Sequence, residues 1–236
     1  MKEYSILIIE DDEDIREGIR ILFSGENYRI TEAGSGEEGL RLFSGDIDLV
    51  ILDIMMPGIS GLKTCEEIRR ISNVPVLFLT AKSQESDKLI GFMAGGDDYL
   101  VKPFSKAELM MKVKSLLRRY VVYRGKQDGS ASEQQEMIQI QDILVSRDRR
   151  VLVRDGRPLN ITGTEYQIFM YLLDHRGRAC SAQEIYESVW KEKFLPSSAG
   201  TIMVHILNLR KKLELDPYNP VIIRTIWGKG YQIDEA

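Results

Sequence analysis

The first half of the chain alternates two kinds of pattern. Short unbroken apolar runs, Ile6–Ile9, Leu49–Leu52, Val74–Leu79 and Tyr99–Val101, have the length and composition of strands buried on both faces, and a weaker one lies near Tyr28–Ala33. Between them apolar residues recur at helical spacing: Ile15, Ile19, Leu22 and Phe23, then Leu89, Phe92 and Met93. Ser35 with Glu38 and Ser105 with Glu108 stand three residues apart, as the two members of a capping box do, and mark helix starts. Five strand–helix units in succession predict an α/β domain over residues 1–119 with a doubly wound, five-stranded parallel sheet.

Tyr120–Glu136 has no apolar period and contains Gly125-Lys126-Gln127-Asp128-Gly129-Ser130, so it reads as a flexible linker. Beyond it, residues 137–236 change pattern. Met137–Ile140, Ile143–Val145, Val151–Arg154 and Leu159–Ile161 read as short strands broken by turn residues such as Asp155-Gly156. Thr162 with Glu165 opens a helix carrying Tyr166, Phe169, Leu172 and Leu173, and Ser181 with Glu184 opens another. A third helix is expected over about Ser198–Leu215. Val221–Thr225 and Gly230–Ile233 then form a hairpin turning at Gly228-Lys229-Gly230. Strands, three helices and a hairpin are the order of a winged helix-turn-helix.

Composition narrows the class. The chain has 236 residues and ordinary apolar and charged fractions, enough for two soluble domains. Cys65 and Cys180 stand far apart in no metal-binding spacing, which suits a reduced, cytoplasmic setting, and no apolar stretch approaches a signal peptide or membrane span. The net charge of −4 conceals a split: residues 1–119 are acidic, residues 137–236 mildly basic. The second half is therefore the one suited to nucleic acid.

The chemistry collects where strands end. Ligands of an open parallel sheet bind at the carboxyl edge of its strands. There the first run stops at Glu10-Asp11-Asp12, the third strand at Asp53, the fourth at Thr80 and the fifth at Lys102-Pro103. A carboxylate is a ready nucleophile toward phosphorus, but an anionic donor repels it. A magnesium ion held by Glu10, Asp11, Asp53 and the backbone carbonyl of Met55 offsets that repulsion. Lys102 adds a fixed positive charge, and Thr80 offers a hydroxyl to a phosphoryl oxygen. Glu13 and Asp14 read as acids favourable at a helix N-terminus.

With Glu10-Asp11, Asp53 followed by Met56-Pro57-Gly58, Leu79-Thr80-Ala81 and Asp97-Asp98-Tyr99-Leu100-Val101-Lys102-Pro103-Phe104, residues 1–119 resemble a response-regulator receiver domain, a flavodoxin-like fold. The resemblance implies that a sensor histidine kinase phosphorylates Asp53, and that the bond before Pro103 is cis. It also implies a switch in which Thr80 moves toward the phosphoryl group and Tyr99 enters the space it leaves. It places the output on the face of the fourth helix, fifth strand and fifth helix, where Lys88 would pair with Glu108, Asp97 with Arg119 and Asp98 with Lys112 across the two-fold axis of an active homodimer.

On the third helix of the second domain, Ile202, Ile206, Leu209 and Leu213 form an apolar stripe. Thr201, Val204, His205, Asn208 and Lys212, flanked by Arg210 and Lys211, form the side expected to meet the major groove. Leu159-Asn160-Ile161-Thr162-Gly163-Thr164-Glu165-Tyr166, Val204-His205-Ile206, Leu209-Arg210-Lys211-Lys212-Leu213 and the wing Thr225–Tyr231 resemble the C-terminal domain of the OmpR/PhoB family. Gly200 and Trp227 depart from that family, which commonly has an arginine at each position. Arg224 and Lys229 are the alternative wing cations, and Trp227 packs either on sugar or into the core. The wing is also similar to that of VanR-type regulators, which control glycopeptide-resistance genes. The reading is a phosphorylation-dependent regulator that binds promoter DNA, with RNA polymerase a further partner through Lys191–Ala199. The rivals are a phosphorylation-independent DNA-binding protein and an aspartyl phosphohydrolase, for which no cap or second general acid is evident.

Overall fold

The computed structural model describes residues 3–81, 95–124, 137–195 and 198–235, with side chains omitted at 121–124. Contacts divide the chain into two compact units, Met1–Tyr120 and Val121–Ala236.

In the first unit, β1 (Tyr4–Ile9), β2 (Tyr28–Ala33), β3 (Leu49–Asp53), β4 (Val76–Ala81) and β5 (Asp98–Lys102) form one parallel sheet in the order β2-β1-β3-β4-β5. Their apolar runs are continuous because both faces are covered. Leu7, Ile9, Val50, Leu52, Val76 and Phe78 pack on one side with Cys65 and Ile68 of α3 (Gly61–Ile71) and with Leu40 of α2 (Gly36–Leu42). Ile6, Ile8, Leu49, Ile51, Leu77 and Leu79 pack on the other with Ile19 of α1 (Glu13–Leu22) and Leu109, Val113 and Leu116 of α4 (Lys106–Arg124).

Three boundaries in this unit differ from expectation. The fourth strand starts at Val76 rather than Val74, because Pro75 has no N–H to give the ladder; its carbonyl instead accepts from Val50 N at 2.9 Å. It also runs on to Ala81, so that Thr80 pairs with Val101 and Ala81 with Lys102. The helix α4 continues to Arg124, its inner side buried at Leu116, Leu117 and Tyr120, so residues 120–124, expected to open the linker, are helical. The helix expected around Leu89, Phe92 and Met93 lies outside the described residues.

The second unit begins with an antiparallel meander of β6 (Met137–Ile140), β7 (Ile143–Ser146), β8 (Val151–Arg154) and β9 (Arg157–Pro158). Leu159–Ile161, expected to be the fourth strand, is not one. Asp155 and Gly156 both take positive φ and close a two-residue hairpin whose last cross-strand bond runs from Leu159 N to the Leu152 carbonyl at 2.8 Å. Leu159–Ile161 instead leads into Thr162, which with Glu165 makes a complete capping box at the start of α5 (Gly163–Asp174). Ser181 and Glu184 cap α6 (Ala182–Trp190) in the same way. These helices and α7 (Ser198–Leu213) enclose a core of Phe169, Leu172, Ile185, Trp190, Ile202, Ile206, Leu209 and Leu213.

The final hairpin pairs β10 (Arg224–Ile226) with β11 (Gly230–Gln232). Val221–Ile223 stay out of it because the buried Glu214 carboxylate accepts their three amides at 2.9–3.0 Å. Gly230, at φ +133°, passes so close to Cys180 that a Cβ would lie 2.0 Å from its carbonyl oxygen.

Candidate functional site

Three sheet strands, β1, β3 and β5, deliver charges to one edge. Glu10 follows β1, Asp53 ends β3, and Asp11 begins the turn into α1, where Asp12 caps the helix by accepting from the amides of Asp14 and Ile15. One oxygen from each of Glu10, Asp11 and Asp53 lies within 4.8 Å of the others. Glu10 and Asp53 are buried, Asp11 exposed. Lys102, at the end of β5, brings its Nζ to 2.6 Å from Glu10 Oε2 and 3.0 Å from Asp53 Oδ2. Burial raises the Glu10 carboxyl to about 7; its hydrogen bond to Lys102 opposes the shift, and the neighbouring Asp53 charge adds to it. The Met55 amide donates to Asp53 Oδ1 at 3.3 Å, while the Met55 side chain is 75% exposed. Three hard oxygen donors at this spacing suit a small divalent cation, whose ligands lie at about 2.1 Å. The Lys102–Pro103 bond is cis.

Thr80 is buried beside this cluster and its hydroxyl donates to the Ala81 carbonyl at 3.1 Å. Tyr99 is half-buried on β5, with the Lys112 ammonium 5.7 Å above its ring. The expected pairs of the output face look different in the folded chain. Asp97 is not a surface residue: it is buried, paired to Arg69 at 2.7 Å, and accepts from Val76 N at 3.0 Å. Within one chain its partner is thus Arg69 of α3. Lys112 reaches Asp98 of its own chain at 3.0 Å, and Arg119 lies 4.0 Å from the same carboxylate, so a buried acid collects both cations within one protomer. Glu108 is exposed and joined to Ser105 by a reciprocal cap; Lys88 lies outside the described residues.

In the second unit, the face expected to read DNA is largely inside. Thr201, Val204, His205 and Asn208 are all buried. His205 lies against Trp190 of α6, ring centroids 5.5 Å apart, and Lys212 pairs with the buried Glu165 of α5 at 2.6 Å. His205 therefore looks toward α6 and Lys212 toward α5. Arg210 is a strap, donating to the Ile223 carbonyl at 2.7 Å and to Thr225 Oγ1 at 2.8 Å, which ties α7 to the wing. Lys211 and Lys229 are exposed, and Arg224 pairs with Asp234 at 2.6 Å. Trp227, at the wing tip, is 91% exposed, which removes the core alternative.

Residues 6–114 match the family model described as the response regulator receiver domain, and residues 156–233 match the transcriptional regulatory protein, C-terminal model. An uncharacterized transcriptional regulatory protein of Bacillus subtilis, YrkP, is 46% identical over 230 residues, covering 97% of both chains. The chain belongs to the OmpR/PhoB family of response regulators. The regulatory protein VanR of Enterococcus faecium is 34% identical, covering 98% of both chains. The crystal structure of the Thermotoga maritima OmpR/PhoB homologue DrrB is 26% identical, with a TM-score of 0.50 over 99% of this chain and 100% of that one. The regulator is thus a transcription factor with a receiver and a DNA-binding half, and among its described residues no helix is long and apolar enough to cross a membrane.

Several supporting residues escape a reading of the sequence. The Gly61 amide donates to the Ile54 carbonyl, and a Cβ there would stand 1.9 Å from the Asp53 carbonyl oxygen, so this glycine lets α3 abut the acid strand. Glu37 accepts from Ile59 N at 3.1 Å and holds the loop after Asp53. Arg16 donates to the carbonyls of Glu10 and Asp11 at 2.7 and 3.0 Å, fixing the acid turn. Glu37 acts across 22 residues of sequence, and only Gly61, three residues after the Gly58 turn, carries a local signal.

Proposed function

We propose that the regulator takes a phosphoryl group on Asp53 from a phosphohistidine of a sensor kinase in the cytoplasm. The observation that carries this is the convergence of Glu10, Asp11 and Asp53 within 4.8 Å, with the Lys102 ammonium 3.0 Å from Asp53. An Asp53 oxygen bonds to phosphorus as the phosphorus–nitrogen bond breaks, leaving an acyl phosphate and a histidine nitrogen that takes up a proton. Glu10, Asp11, Asp53 and the Met55 carbonyl would hold magnesium, which neutralises charge on the phosphoryl oxygens when bound. Lys102 holds a positive charge beside the same oxygens. Thr80 exchanges its bond to Ala81 for one to the phosphoryl group, and Tyr99 follows inward. Phosphorylated receivers then associate as a homodimer, and the winged helices engage double-stranded promoter DNA and RNA polymerase.

Intact mass after incubation with acetyl phosphate and magnesium tests the reading. The wild type gains one phosphoryl group and binds promoter DNA more tightly, while Asp53→Ala does neither. A wild type that gains no mass, or an Asp53→Ala variant that gains the same mass, removes Asp53 from this role.

A further inference from the structure

The turn that carries Glu10 and Asp11 joins β1 to α1, and its backbone falls between two bonding systems. The β1–β2 ladder closes with Glu10 N on the Ala33 carbonyl at 3.1 Å, and the first helical bond of α1 runs from Arg16 N to the Asp12 carbonyl at 3.1 Å. The carbonyls of Glu10 and Asp11 lie past the ladder and ahead of the helix, and a carbonyl so placed needs a partner from elsewhere. One side chain supplies it. Arg16, half-buried on α1, places Nη1 2.7 Å from the Glu10 carbonyl and 3.0 Å from the Asp11 carbonyl. The Glu38 carboxylate, which accepts from Gly34 N at 2.9 Å, flanks the same guanidinium: a Cβ on Gly34 would lie 3.7 Å from Arg16 Nη1 and 3.8 Å from Glu38 Oε2.

The three acids differ in what aims them. The Lys102 ammonium holds both Glu10 and Asp53, and Met55 N bonds Asp53 as well. Asp11 is exposed, and among the described residues its carboxylate takes part in no hydrogen bond or ion pair, so its backbone sets its aim. Arg16 stands behind that backbone. We infer that Arg16 is a positioning residue for the cation site: it fixes the turn that presents Asp11, and so raises magnesium affinity although it is itself a cation. The inference rests on the reading of Glu10, Asp11 and Asp53 as the magnesium site. The sign of the effect separates this role from plain electrostatics. As a charge, a guanidinium on the acid turn repels a divalent cation, and its removal tightens binding. As a group that holds a metal ligand in place, its removal weakens binding.

The test titrates magnesium chloride into the full-length chain by calorimetry, at one pH and ionic strength, for the wild type, Arg16→Met and Arg16→Lys. Arg16→Met is expected to bind magnesium about tenfold more weakly, the lower end for losing a group that orients a metal ligand. Arg16→Lys keeps the charge on a shorter stem without the guanidinium fork, and is expected to lose about threefold. Circular dichroism and urea unfolding in chelator establish that each variant is folded during the titration, so that a lower affinity belongs to the native site. Equal or tighter binding by Arg16→Met overturns the inference. Unchanged binding by Arg16→Lys overturns it too, and that variant carries the test alone if Arg16→Met does not fold. Asp11→Asn distinguishes the two readings: its loss of affinity upholds the magnesium site whatever Arg16 does. A wild type that binds no magnesium, or an Asp11→Asn variant that binds as the wild type does, removes the site and the inference together.

Discussion

Glu10 shows how one buried side chain couples the site to pH. Its carboxyl is raised from 4.5 to about 7, first by burial and then by the Asp53 charge, against the pull of Lys102. Between those two values the folded chain holds a proton that the unfolded chain has released, so folding stability declines as pH rises through the window and is flat below it. Glu10→Gln should remove that slope, read as the urea midpoint against pH with a chelator present. Magnesium affinity runs the other way: it weakens as pH falls below about 7, up to tenfold per unit, because the cation must displace the proton. Calorimetry in buffers of different ionisation heat would register that released proton. Gly61 is the other telling residue. A methyl group there meets the Asp53 carbonyl at 1.9 Å, and Gly61→Ala should destabilise the receiver by about 3 kcal/mol, at the upper end for overpacking. Thermal unfolding would measure it.

At the scale of elements, the local signals were strong where a helix begins. Both capping boxes of the second unit form as their sequence spacing suggests, and Thr162→Ala should cost about 1 kcal/mol in urea unfolding. The signals were weaker where an element ends or where a side chain takes over backbone bonding. Glu214 satisfies the amides of Val221, Ile222 and Ile223, which shortens the strand that β-branched composition alone suggests. The Asp155-Gly156 hairpin likewise ends the meander earlier than the apolar residues beyond it imply. The orientation of α7 is a further case. An apolar stripe identifies one side of a helix, but α7 packs against both α5 and α6, and the arc they bury is wider than the stripe. His205 is therefore inside, against Trp190, while Met203 is exposed.

At the scale of the whole molecule, opposite charges were legible but their partners were not. Asp98, Lys112 and Arg119 suit a pairing between protomers, yet they meet within one chain around a buried carboxylate. Lys112→Ala should thus destabilise the unphosphorylated chain by about 2–3 kcal/mol, less than the cost of a wholly unpaired buried charge because Arg119 stays close. Denaturant unfolding of the unphosphorylated protein checks this separately from any effect on assembly.

The sequence alone determined the order of the described strands and helices, the two-part organisation of the fold, and the acids and lysine gathered at the sheet edge. It did so because apolar period, capping spacing and strand-end position act over a few residues. Only the tertiary structure decided that Asp97 locks onto Arg69, that Arg210 straps the wing, that Trp227 stands clear of the core, and that His205 packs on Trp190. Each of those depends on residues brought together across long stretches of chain, where burial and charge are set by neighbours that local spacing does not specify.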